Sequence, residues 1–131
     1  MLFDTHCHLD VPQFDPDRDQ VIAQARDAGV SRILVPAIHA AGWKGLLHLC
    51  YQEPGLFPAL GLHPVFMAHH QIRDLLELEH MIASVHPVAV GEIGLDFSLS
   101  NLDRVQQQKL FEQQLELANH AKLPVVLHAR K

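Results

Sequence analysis

Two histidines flank a single residue in Phe3-Asp4-Thr5-His6-Cys7-His8. On an extended chain that spacing turns both imidazoles to one face and Cys7 to the other. Neutral imidazole ligates borderline divalent ions such as Zn²⁺ or Ni²⁺, and two rings on one rigid segment make half of a metal site. His-x-His alone is a weak signal, because many such pairs are surface residues. It strengthens here because other short apolar runs end in residues of matching chemistry: His63 in Gly61-Leu62-His63-Pro64, Glu92 in Gly91-Glu92-Ile93-Gly94-Leu95-Asp96, and His128 after Val125-Val126-Leu127. A carboxylate among imidazoles bridges two divalent ions a few ångströms apart, an arrangement that activates water and clamps a phosphoryl or acyl oxygen.

The elements that must position these groups alternate along the chain. Residues 2–5 read as a strand, 11–14 as a loop, and Asp15-Pro16 as a helix start with Asp as cap and Pro at the first helical position. Val21, Ile22, Ala25 and Ala28 recur at helical spacing, and Gly29 supplies the left-handed cap. Ile33-Leu34-Val35 is too short for a helix and apolar on both faces, as a buried parallel strand is. A helix over 43–52, a strand over 56–60, a helix over 71–84 with Ile72, Leu75, Leu76 and Ile82 inward, and a strand over 88–90 follow. The last pair is a helix over 102–121 with Leu110, Phe111, Leu115 and Ala118 inward, then a strand over 124–127 that ends at His128. The run Gln106-Gln107-Gln108 reads as a solvated face. Strict βαβ alternation predicts a parallel α/β sheet covered by helices, either open and doubly wound or part of a (β/α)₈ barrel. In both, function gathers at the C-terminal ends of the strands, where the histidines and Glu92 lie.

Composition narrows the class. A chain of 131 residues that is 48% hydrophobic and 19% charged is a globular chain of single-domain size, residues 1–131. A net charge of −5 argues against broad nonspecific adhesion to nucleic acid, without excluding a local basic site. No apolar stretch reaches membrane-spanning length and no signal-peptide pattern opens the chain, so the expected location is cytoplasmic. The two cysteines, Cys7 and Cys50, fit a reducing compartment. Cys7 is expected to pack as a small hydrophobe and Asp4 to act structurally, while His39, His48, His69, His70, His80, His86 and His120 are expected to be solvated.

Asp4-Thr5-His6-Cys7-His8-Leu9-Asp10, Gly61-Leu62-His63-Pro64, Val90-Gly91-Glu92-Ile93-Gly94-Leu95-Asp96 and Leu123-Pro124-Val125-Val126-Leu127-His128-Ala129-Arg130 together resemble the successive signatures of the TatD family of metal-dependent deoxyribonucleases. They occur in the family's order and span the whole chain. The resemblance implies a TIM barrel of the amidohydrolase type, one or two divalent ions (Mg²⁺, Mn²⁺ or Zn²⁺), and hydrolysis of DNA phosphodiesters. By that resemblance His6, His8, Glu92 and His128 are metal ligands, and Glu92 is also catalytic as the shared carboxylate. His63 is a catalytic and substrate-contacting residue, Arg130 a phosphate contact, and Asp96 a supporting group behind the ligands.

The chain also departs from the pattern. Family members are about twice as long, and their remaining ligands, a histidine after the sixth strand and an aspartate after the eighth, have no counterpart here. A closed eight-stranded barrel takes ~250 residues, so the expected fold is an incomplete barrel of five strands and four helices. Its first and fifth strands become open edges, expected to pair with another chain if the polypeptide ends at Lys131. Such a chain is a fragment of a longer enzyme, the product of a truncated reading frame, or a protein that must associate to fold, and little catalysis is expected of it alone. Two other functions stay open: a related hydrolase of a small phosphoester or amide, and a catalytically dead metal-binding fragment.

Overall fold

The computed structural model describes residues Met1–Lys131. Its main elements are β1 (Leu2–Asp4), α1 (Arg18–Asp27), β2 (Val30–Pro36), α2 (Trp43–Gln52), β3 (Leu56–Leu60), α3 (Arg73–Val85), β4 (Ala89–Asp96), α4 (Arg104–Ala121) and β5 (Val125–Arg130). The strands lie in the order β1-β2-β3-β4-β5, and each neighbouring pair is parallel. A doubly wound sheet reverses its strand order at a switch point, whereas a barrel wall does not. Sequential order therefore makes this sheet a half-barrel.

Strand alternation explains where the core sits. Ile33 and Val35 of β2, Leu56 and Leu60 of β3, and Val90 and Ile93 of β4 share one apolar cluster with Ile22, Trp43, Leu46, Leu78, Ile82 and Ala118 of the four helices. Residues of opposite parity, Leu34, Ala59 and Ala89, form a small second cluster on the other face with Phe57 and Val126 against it. That inner face is thinly covered, and the edge strand β1 shows it: Phe3, which meets Phe57 of the small cluster, is 50% exposed. The two open edges expected from the strand count are β1 and β5. No helix is long and apolar enough to cross a membrane.

Several boundaries differ from those read in the sequence. Helix α1 begins at Arg18 rather than at Pro16, because a short 3₁₀ turn occupies Pro12–Phe14 and the Asp15 carboxylate is taken by Arg18 at 2.8 Å. Helix α3 does not turn Ile72 and Leu76 inward. They are 93% and 71% exposed, and the buried stripe runs through Asp74, Leu78 and Ile82 at spacings of four. Strand β4 runs six residues beyond Val90, through the glycines that read as its end. Strand β5 continues to Arg130, so His128 sits within the strand and not at its tip.

The glutamine run is the clearest correction. Gln106 and Gln108 are exposed, but Gln107 is 1% exposed. Its side-chain amide accepts a hydrogen bond from the Asp96 N–H at 2.8 Å and donates one to the Asp96 carbonyl at 3.0 Å. Two helical turns on, Gln114 does the same to Leu62, accepting at 2.8 Å and donating at 3.1 Å. Each amide acts as a short piece of strand for backbone that has lost its ladder partner.

Candidate metal centre

The carboxylate of Glu92, 3% exposed, lies at the middle of the cluster. It is placed there by a bulge. Between β4 and β5 the register passes from Gly91 opposite Val126 to Ile93 opposite Leu127, so Glu92 is the extra residue of its strand. A bulge re-aims a side chain, and this one aims the carboxylate at histidines from both sides. Its Oε1 is 2.9 Å from His6 Nε2 and 2.9 Å from His8 Nε2, and these two nitrogens are 3.3 Å apart. Its Oε2 is 2.9 Å from His128 Nδ1 and 3.5 Å from His63 Nε2.

The loop that carries the first two histidines is held from several sides. The Asp4 carboxylate accepts from the His6 N–H at 3.0 Å, which gives that acid the structural role expected of it. Past His8, the Arg18 guanidinium donates to the carbonyls of Leu9 at 2.6 Å and Val11 at 2.9 Å. Cys7 faces away and packs at the edge of the core, where burial, with Asp4 and Asp10 nearby, pushes its thiol pKa up.

Backbone contacts decide which ring nitrogens are free. His8 Nδ1 donates to the Pro36 carbonyl at 2.8 Å, so in the neutral ring Nε2 carries a lone pair, and that lone pair faces Glu92 Oε1. His128 Nε2 lies 2.8 Å from Asp96 Oδ2, and a proton there leaves the Nδ1 lone pair facing Glu92 Oε2. Two electron-rich atoms at such distances need a proton or a cation between them. Donors around a tetrahedral ion with bonds of ~2.0–2.1 Å stand roughly 3.3 Å apart, close to the spacings found. The donor set therefore fits a divalent ion on the His6–His8 side of Glu92, and the other side offers His128 Nδ1 and Glu92 Oε2 as two donors toward a second. His63 differs: its Nδ1 accepts from the Val65 N–H at 3.1 Å, so Nε2 carries the proton and faces Glu92 Oε2 at 3.5 Å as a donor.

The electrostatics agree with this arrangement. Burial pushes the Glu92 carboxyl up, but hydrogen bonds from His63 and His8 and the nearby His63 and His6 charges outweigh it and hold the group well below the usual carboxylate range. The Ser98 hydroxyl, working with His128 against burial, holds Asp96 at about 2. Both acids are thus ionised around the imidazoles.

His6, His8, His63, Glu92, Asp96 and His128 are brought together, as the sequence reading expected. Arg130 is not: it is exposed and its side chain contacts none of them, although alternation puts it on the same face of β5 as His128. Two of the histidines expected to be solvated are half-buried instead. His70 donates to the His63 carbonyl at 2.8 Å, and burial lowers its pKa, while His39 stacks on His69. Gln107 and Gln114 were missed as supports of this site. Their signal was available, since residues 107, 114 and 118 share the helix stripe of Leu110 and Leu115.

Gln114→Leu should leave the buried N–H and carbonyl of Leu62 unpaired. At about 1–3 kcal/mol for each orphaned group, the expected loss of stability is about 2–5 kcal/mol. Gln106→Leu on the exposed face should stay within about 0.5 kcal/mol of the parent. Urea unfolding of the two variants side by side checks this, and equal midpoints would remove the clamp.

A parallel half-barrel with a carboxylate set between histidines contributed from the β1, β3 and β5 positions is a (β/α)-barrel wall whose clustered side chains could hold a metal ion. Residues 3–131 match the family model described as TatD related DNase, and the chain belongs to the TatD family. It is 40% identical over 130 residues, 98% of this chain and 50% of the relative, to the uncharacterized metal-dependent hydrolase YjjV of Escherichia coli (strain K12). It is 36% identical over 131 residues, 99% of this chain and 50% of the relative, to the 3'-5' ssDNA/RNA exonuclease TatD of Pantoea sp. (strain At-9b). The crystal structure of the Escherichia coli YjjV protein aligns with a TM-score of 0.94 at 39% identity, over 99% of this chain and 51% of that one. The chain spans about half the length of the curated relatives it matches.

Proposed function

We propose that this chain carries the metal-binding part of a metal-dependent phosphodiesterase that acts on DNA. The observation that carries the reading is the division of Glu92, one oxygen toward His6 and His8 and the other toward His128. His6 and His8 would hold one divalent ion, His128 a second, and Glu92 both. When bound, such ions supply Lewis-acid polarisation of a phosphoryl oxygen and of the attacking water. Asp96 orients the His128 ring and fixes its proton on Nε2. His63, protonated on Nε2, would donate to a phosphoryl oxygen, and Arg130, on the same face of β5 as His128, would have to swing toward the cluster to meet the same phosphate. The imidazoles favour Zn²⁺ over Mg²⁺ by ligand softness, while Mg²⁺ or Mn²⁺ suits the carboxylate and a bound phosphate. The edges of β1 and β5 would take up further strands, from the same or another chain, to complete the wall.

The test measures metal per chain by mass spectrometry and compares rates on single-stranded DNA with rates on a simple phosphomonoester and an amide. Bound metal with a preference for DNA supports the reading. Bound metal with a preference for the small substrates points to the related small-molecule hydrolase. Metal binding without turnover on any of them marks a segment whose catalysis needs residues beyond these.

Proton competition gives a second check. The hydrogen bond to Glu92, working against burial, raises the His8 pKa above its usual 6.5. A proton on Nε2 blocks an ion, so Mn²⁺ affinity should climb by about tenfold per pH unit for each proton displaced, and His8 should carry that rise beyond pH 6.5. Calorimetric titration across neutral pH measures it, and an affinity that is flat above that value contradicts the ligand role of His8.

A further inference from the structure

We propose that a cleft beside the cluster is a subsite for the nucleobase next to the hydrolysed phosphate, an inference that rests on the nuclease reading above. The cleft has a volume of about 440 Å³ and shares His8 and His63 with the cluster. That size lies within the ~300–1,000 Å³ usual for small-molecule sites. Its remaining wall includes Pro12, Gln13, His39 and Phe66, and no lysine, arginine, aspartate or glutamate lines it. Apart from its histidines the wall carries no ionisable group, which suits a flat uncharged ring better than a second phosphate.

The rings of that wall are fixed in place yet remain partly exposed. Phe66 meets His63 at 5.4 Å between centroids and 77°, and His39 at 6.2 Å and 80°. His39 stacks on His69 at 5.6 Å and 29°. Edge-to-face and offset contacts of this kind lock ring orientation. Phe66 and His39 thus form a preorganised aromatic surface beside a cluster suited to phosphate. A mononucleotide unit has the matching shape, a phosphate joined through one sugar to a flat, uncharged ring. Base stacking on aromatic side chains needs no particular base, whereas the Gln13 amide at the rim could pair with a base edge.

Nuclear magnetic resonance titrations of the chain in the presence of Mg²⁺ test the subsite with three probes: dAMP, inorganic phosphate and deoxyadenosine. The expected result is ring-current shifts at His39 and Phe66 with dAMP and deoxyadenosine but not with phosphate, and shifts at His63 and His128 with dAMP and phosphate. Phe66→Leu should weaken dAMP by at least ~10-fold, in keeping with ~1–3 kcal/mol per stacked base, and leave phosphate binding unchanged. Phe66→Trp should retain dAMP binding, and an undisturbed backbone spectrum shows that each variant is folded. If dAMP shifts only what phosphate shifts and Phe66→Leu changes nothing, the subsite is overturned and the nuclease reading stands. If deoxyadenosine shifts His39 and Phe66 while neither phosphate nor dAMP reaches His63 and His128, the cleft binds a base without a phosphate beside it, and the nuclease reading falls together with the subsite's place next to a hydrolysed phosphate. Silence with all three probes overturns both.

Discussion

Glu92→Gln is expected to lower divalent-ion affinity by at least ~100-fold and to remove whatever hydrolysis the cluster supports. Loss of a partner one step removed from an ion costs ~10–100-fold, and Glu92 would touch both ions directly. The amide has nearly the same size and shape as the carboxylate, so little packing is lost. It has no charge, and one of its two ends is a donor. That donor would face a ring lone pair on His8 or His128, the atoms Glu92 now meets at 2.9 Å. The metal-free variant should therefore stay folded, with some loss of the stability that the ionised carboxylate draws from its histidines, while binding ions poorly. Calorimetry for the ion and thermal unfolding in chelator separate the two effects. Undiminished ion binding would remove the bridging role, and a collapse of the metal-free fold would show that Glu92 serves packing instead.

Gly94→Ala is expected to be among the most damaging single changes in the chain, costing more than about 4 kcal/mol or abolishing the fold. A β-carbon at that position would stand 1.9 Å from the His128 carbonyl oxygen and 2.9 Å from its carbon. Both are backbone atoms of the paired strand, and they cannot swing away as a side chain would. The φ of +145° at Gly94 is also one that L-residues rarely adopt. Relief requires β5 to move off β4, taking the His128 ring with it. Gly45→Ala is the matching control, since nothing lies within 4 Å of its β-carbon position, in the first turn of α2. That change should stabilise the chain by up to about 1 kcal/mol. Chemical unfolding and circular dichroism of the pair measure the contrast, and a well-folded Gly94→Ala variant would mean that the two strands are less tightly apposed.

Much of the architecture was legible because the apolar runs are short and separated by helical repeats. The same run-and-repeat pattern carried the parallel sheet, and the residues closing each run carried the cluster. What stayed hidden has a physical reason in each case. Gly91 and Gly94 look like strand breakers, yet here glycine is what lets the backbone of β5 come close enough to pair. Gln107 looks like its solvated neighbours because a local run of like residues says nothing about which one faces the sheet. Ile72 and Leu76 were counted inward on hydrophobicity alone, although the helix phase set by Leu78 and Ile82 places them outside. The order of strands in space cannot be read from alternation, so in the sequence only the family resemblance separates the barrel wall from the open sheet, and the strand pairing agrees with it.

The contact between His6 and Glu92 joins positions 86 residues apart, and between the strands that carry them lie two others. A cation shared there would be a crosslink as well as a reactant. It would close a long loop of the unfolded chain and pin a three-residue strand, otherwise anchored along one side only, to the interior of the wall. Loading the ion and fastening the amino terminus would then be the same event.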